Sequence, residues 1–381
     1  MLSLGFEVRS IAIDVILPVG ISFYTFQSMS YTIDVYHGKT KPERNVIDYL
    51  AFVSFFPQLM AGPIERAHHM LPQFRSQRVF NPTLAADGCR QILWGVAKKM
   101  VIADNLAAPV QVAFSNPSSL SGADLALGVF LFAFQIYCDF SAYSDIALGL
   151  ARLLGFDLMR NFAYPYFSQS VGEFWRRWHI SLSTWFRDYV YFPLGGNRGS
   201  RFMQVRNVLV TFTISGLWHG AAWTYVLWGF MNGLALIPAL FLKAANDKGA
   251  KATDVPGGPN LIPSLGIFIR MVGTFIFICV TWAFFRAATI SDAMMILRRI
   301  AMLAPAEGSV SPMLTVPNVP NLIGAVFGLL LIEWVCRAHQ HPLAALSKFP
   351  RPVRWVVYTA LIWLTAISGT LAAGQFIYFQ F

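Results

Sequence analysis

Ionised side chains are scarce in this chain, at 13% of 381 residues, where soluble domains carry roughly a quarter. With 56% hydrophobic residues and a mean hydropathy of +0.52, that shortage excludes an ordinary soluble domain. Cysteine is also rare. Cys89, Cys138, Cys279 and Cys336 form no CxxC, so neither a metal site nor a disulfide framework is expected. They read as small buried hydrophobes. The common soluble catalytic motifs are missing: there is no GxSxG elbow, P-loop, HExxH or GxGxxG,. The first residues hold Glu7, Arg9 and Asp14 without a small-residue cleavage site, so no cleavable signal peptide is expected. No repeat of fixed period is visible, which counts against a transporter built from inverted repeats.

What the chain does have is long stretches without charge. None occurs between Asp14 and Asp34, between Arg206 and Lys243, or from Trp355 to Phe381. A membrane span needs about 20 mostly apolar residues. The stretch from Arg206 to Lys243 is too long for one span and reads as two helices meeting near Gly216–Ala222. Tyr49–Ile64 is interrupted by Pro57, Gly62 and Pro63, as in a broken or re-entrant helix. Asp124–Gly155, Leu261–Phe285 and Asn321–Val335 are further candidates, interrupted by Asp139 and Asp145, by Arg270 and by Glu333. Trp and Tyr crowd the segment ends, as in aromatic belts. The sum is an all-α polytopic membrane protein with about eight to ten embedded segments. Ala244–Pro263 and Met302–Pro320 read as polar loops.

The net charge is +10. No soluble basic face accompanies it, so no nucleic-acid partner is expected, and the excess reads as positive-inside bias. The arginines from Arg152 to Arg206 are assigned to the cytoplasmic side.

In a membrane, ionisable residues within apolar sequence are functional candidates by default. His219 lies in SGLWHGAAWTYVLWG, near the centre of the longest uncharged stretch, between Gly216 and Gly220. A neutral imidazole can take a proton from a hydroxyl and make it a nucleophile. The competing reading is a hydrogen-bonded histidine packed between helices. His179 lies in VGEFWRRWHISLSTWFRDYVYFPLGG, where Trp175, His179, Leu182 and Phe186 share one face of an expected amphipathic surface helix. Taken alone, His179 reads as a packing residue. Nearby arginines suit a phosphate-bearing cargo such as coenzyme A, or equally anionic lipid headgroups. In QIYCDFSAYSDIALGLARLLGF, Asp139 and Asp145 fall on different helix faces, so paired carboxylate chemistry is not expected. Asp145 and Arg152 are spaced to pair, and the segment reads as a polar lining or a helix break. His37, His68, His69, His339 and His341 are assigned to polar loops, without a metal.

These segments together carry a resemblance. FQIYCDFSAYSDIALGLARLLGF, NFAYPYFSQSVGEFWRRWHISLSTWFRDYVYFPLGGNRG and SGLWHGAAWTYVLWG resemble the core of the membrane-bound O-acyltransferase superfamily. FPQLMAGPIER and the terminal FIYFQF resemble its bacterial branch, which acetylates polysaccharides such as alginate and peptidoglycan. The resemblance covers nearly the whole chain and implies a single membrane domain, residues 1–381, built around a central tunnel. Members usually begin with further membrane segments before the counterpart of LPVGISFYTFQ, so it implies that those segments are lacking here.

By the same resemblance His219 corresponds to the catalytic histidine and His179 to a second site histidine. Arg176, Arg177, Arg187 and Trp218 are assigned to the donor. The implied reaction moves acetyl from a cytoplasmic thioester, acetyl-CoA or an acyl carrier, to an exported polysaccharide or to a periplasmic acetyltransferase partner. It needs no metal and no resident cofactor. It places the chain among membrane lipids in a bacterial inner membrane. Peptidoglycan, teichoic acid or lipid are alternative acceptors, and a membrane transporter is the alternative of another class.

Overall fold

The computed structural model describes residues 20–241, 255–258, 260–306, 313 and 316–369, and every regular element among them is helical. The loop Ala244–Pro263, the loop Met302–Pro320 and the start of LPVGISFYTFQ lie partly outside the described residues, and FIYFQF lies wholly outside them.

The centre is α7 (Gly122–Leu153), 32 residues long and therefore about 48 Å. Ser121 starts it: its hydroxyl accepts from the Asp124 amide while Asp124 reaches back to the Ser121 amide, satisfying two orphan donors at once. Against α7 lies a long rod made of α5 (Pro82–Ala97), a π-helical turn (Lys98–Ala103) and α6 (Asp104–Ser115). The two helices cross where Gly88 and Gly149 face each other. A methyl on either would fall 2.7 or 2.5 Å from the other's carbonyl oxygen. Small residues allow such close approach in a membrane, where packing substitutes for hydrophobic drive.

α7 is continuous, a correction to the helix break considered from its carboxylates. The π-helical turn of the facing rod supplies the countercharges. Lys98 Nζ lies 2.7 Å from Asp145 and donates to Ser141. Lys99 Nζ lies 2.5 Å from Asp139 and 2.8 Å from Asp104. A π-turn changes the register of successive side chains, which lets adjacent lysines both meet α7. Arg152 does not pair with Asp145; it reaches Asp87 at 2.6 Å. His341 is buried beside the same Asp87, at 3.3 Å, and His68 and His69 lie on α4 (Ala67–Arg75), not in polar loops.

Before this core come α1 (Ile21–Tyr36), α2 (Val46–Val53) and α3 (Phe56–Leu59). The last two give the broken segment expected around Pro57. The long uncharged stretch forms α10 (Arg201–His219) and α11 (Trp223–Phe241), which meet at Gly220–Ala222. α12 (Leu265–Arg286), α13 (Ile290–Ala301), α14 (Val319–Cys336) and α15 (Arg351–Ser368) complete the fold. Four of the described helices, α7, α11, α12 and α14, are long and apolar enough to cross a membrane. α1 is shorter, at 16 residues. α10 and α15 open on polar turns with Arg201 and Arg206, and with Arg351 and Arg354.

Candidate active site

His219 is the last residue of α10. Gly220, extended at φ 164°, ends that helix and starts the chain toward α11. Tight packing follows at once: a methyl on Gly216 would sit 2.2 Å from the Tyr225 carbonyl oxygen, and one on Gly229 2.2 Å from that of Phe212. The close crossing brings α11 and α12 to the imidazole. Trp228 meets it edge-on with centroids 5.2 Å apart, and so does Phe285 at 5.2 Å. Trp218 covers a third side at 4.9 Å.

His179 approaches from a different element. The expected continuous helix from Trp175 to Tyr189 is broken, which corrects the surface-helix reading. α8 (Val171–Arg177) stops, His179 takes the left-handed conformation at φ 44°, and α9 (Ile180–Phe186) begins anew. A π-helical turn, Arg187–Tyr191, follows. The backbone of Asn161–Ala163 spans the break: the Ala163 amide donates to the Arg177 carbonyl at 2.9 Å, and the Ile180 amide to the Asn161 carbonyl at 3.0 Å. The Asn161 side-chain oxygen also accepts from the Ser181 amide and hydroxyl, at 3.2 and 2.7 Å. A non-glycine residue held left-handed costs on the order of 1–3 kcal/mol, and these bonds offset that cost. His179 is 1% exposed, so it lies inside the protein and not at a lipid surface.

The two imidazoles share one aromatic enclosure. Phe140 lies 4.6 Å from the His179 ring and Phe23 6.4 Å. Phe23 in turn meets Trp218 at 6.0 Å. On the other side Trp178 meets Trp282 at 5.1 Å, and Trp282 stacks on Trp228 at 5.7 Å.

Beside α10 lies an apolar groove. Leu182, Phe186 and Phe212 line it, Arg187 and Tyr191 stand at its edge, and Ser215 lies one helical turn before His219. Of the other residues assigned to a donor, Trp218 stacks on Phe26 at 5.3 Å and Arg176 is half-buried on α8. Arg187 is 54% exposed and pairs with Asp188 at 2.8 Å. Arg177 is 1% exposed; it bonds Glu173 at 2.9 Å and the Ala163 carbonyl at 3.4 Å. Its donors thus serve the turn at His179, not the groove. Sequence reasoning missed Asn161, Trp228, Trp282 and Phe285. Asn161 and Trp228 stood in quoted motifs without being singled out, and Trp282 and Phe285 carried no signal.

The chain matches the model of the membrane-bound O-acyltransferase family over residues 44–278. It is 41% identical over 324 residues to a probable alginate O-acetylase of Pseudomonas aeruginosa, an alignment covering 85% of this chain and 58% of that protein. With the probable alginate O-acetylase of Azotobacter vinelandii it shares 45% identity over 281 residues, 73% of this chain and 52% of that one. A peptidoglycan O-acetyltransferase of Helicobacter pylori is 35% identical over 309 residues, 74% of this chain and 56% of its own length. The chain spans a little over half the length of these relatives.

Proposed function

Because the chain belongs to the membrane-bound O-acyltransferase family, we propose that it transfers acetyl from a cytoplasmic thioester to hydroxyls of an exported polysaccharide of the alginate kind, or to a periplasmic partner that completes the transfer. The observation that carries the reading is the convergence of His219 and His179, from separate elements, in one aromatic enclosure. Identity of 41–45% to alginate O-acetylases, against 35% to the peptidoglycan enzyme, supports the polysaccharide acceptor. The segment from Arg152 to Arg206 lies at the cytoplasmic side of a bacterial inner membrane, so the donor enters at the groove edge beside Arg187.

In this mechanism neutral His219 takes the proton of the attacking hydroxyl. The oxygen bonds to the acyl carbon, the carbon–sulfur bond breaks, and the leaving thiolate takes the proton back from His219. A base so placed contributes about 10²–10⁴-fold. Aromatic walls limit competing hydrolysis by keeping water out. His179 orients the thioester end, Trp218 walls the path, and Arg176 and Arg187 hold the donor's charged part. Arg177 stays with Glu173 and Ala163 and holds the His179 turn.

The test is incubation of membranes containing the chain with acetyl-labelled acetyl-CoA and a uronic-acid polymer. Label in the polymer is expected. A transporter would give donor-independent movement of the polymer or its precursor and no ester formation.

A further inference from the structure

A second pocket, open to solvent and lined mainly by polar side chains, lies beside Asp188 and Tyr189 of the Arg187–Tyr191 turn. Neither histidine of the proposed centre lines it. Its walls include Asp34, Lys39, Arg66, His68, Asp188 and Tyr189. Arg66 is 9% exposed, and its guanidinium lies 4.7 Å from the centre of the Tyr189 ring. One terminal nitrogen, Nη2, stands 3.5 Å from Asp188. The other, Nη1, is buried with no partner among the described residues.

The carboxylates nearby are already engaged. Asp188 pairs with Arg187 at 2.8 Å, while Asp34 accepts from the Tyr189 hydroxyl at 2.8 Å and faces Lys39 at 4.0 Å. Two permanent cations, Lys39 and Arg66, line the pocket with two carboxylates that are already paired, and His37 and His68 are also on the wall. A buried charged donor without an acceptor is costly, and an incoming oxyanion removes that cost. A planar guanidinium binds the oxygens of a phosphate or a carboxylate in bidentate fashion.

We propose that this pocket binds a phosphate group of the thioester donor, with Arg66 as its principal contact. The assignment to the donor follows from the shared turn. A ligand lying across Arg187–Tyr191 would place its thioester arm in the groove toward Ser215 and His219, and its phosphate on Arg66. The inference rests on the acyl-transfer reading above.

A donor-truncation experiment tests it. Initial rates are measured with acetyl-CoA and with S-acetylpantetheine, which has no phosphate, for wild type, Arg66→Ala and Arg66→Lys. For Arg66→Ala, KM for acetyl-CoA should rise about tenfold to a hundredfold, with kcat and the S-acetylpantetheine KM unchanged. Arg66→Lys should recover part of the loss. Lys39→Ala, on a side chain 60% exposed, should show the same donor-selective pattern more weakly, and it serves where the Arg66 variants do not fold. Equal effects on both donors, or none, would overturn the site. A rise confined to the polymer's KM would place an acceptor carboxylate there instead and overturn it too. Failure of wild type to use either thioester would overturn both this site and the proposed function.

Discussion

Replacing Gly229 with alanine should silence the protein without removing it from the membrane. A Cβ at this position would stand 2.2 Å from the Phe212 carbonyl oxygen and 3.1 Å from the Gly216 Cα. Both obstacles are backbone, so no side chain can swing aside. Carbon–oxygen contacts begin at about 3.3 Å, so α10 and α11 must part by about 1 Å. His219 ends α10, and Trp228 lies on α11 beside Gly229, so the parting opens the enclosure at the imidazole. A misplacement of this size costs about 100-fold in rate, and overpacking costs about 1–3 kcal/mol of stability. The assay is acetyl transfer in membranes, normalised to chain quantity, with Gly273→Ala as control. A Cβ on Gly273 meets nothing within 4 Å and should leave the rate unchanged. A wild-type rate for Gly229→Ala would refute the claim that this helix contact sets the site.

Lys98→Met leaves Asp145 without its ammonium partner in a site where the lysine is 3% exposed; stability should fall by about 3–5 kcal/mol, and adding Asp145→Leu should restore most of it, both read as the melting temperature in detergent. The His69 ring donates to the Glu65 carboxylate at 2.7 Å, and that hydrogen bond raises its pKa above 6.5. The resulting stability is complete below pH 6.5 and is lost as pH rises through the raised value, so melting should decline over that window in wild type and stay flat in His69→Gln. For topology, Arg198→Cys in a Cys89→Ser background, needed because Cys89 is exposed, should react with an impermeant thiol reagent only in opened cells. Labelling of intact cells would invert the proposed orientation.

The parts of the fold that were legible in sequence are those set by local chemistry. A charge-free run interrupted by Gly216, Gly220, Ala221 and Ala222 gave α10 and α11 with the break in place, and Pro57 marked the break between α2 and α3. Arg177 was assigned to the donor, although its i,i+4 spacing from Glu173 permits the ion pair that the structure shows,. The break at His179 was not legible, because no glycine or proline marks it. It is imposed by Asn161–Ala163, far enough upstream that spacing cannot reveal the contact. For the same reason the carboxylates of α7 suggested a broken helix: their neutralisation depends on a π-helical turn of another helix. Of the two candidate histidines, only His219 stood out as an ionisable residue in apolar sequence; His179 entered through the resemblance, and the walls from Trp282 and Phe285 exist only through packing.

The most direct test of the account is the rate of acetyl transfer from labelled thioester to polymer in membranes carrying His219→Gln or His219→Ala, with equal chain in each. The mechanism requires a fall of about 10²–10⁴-fold for both variants, while binding of donor, measured by equilibrium dialysis, stays at the wild-type level. Retention of most of the wild-type rate by either variant would contradict His219 as the base.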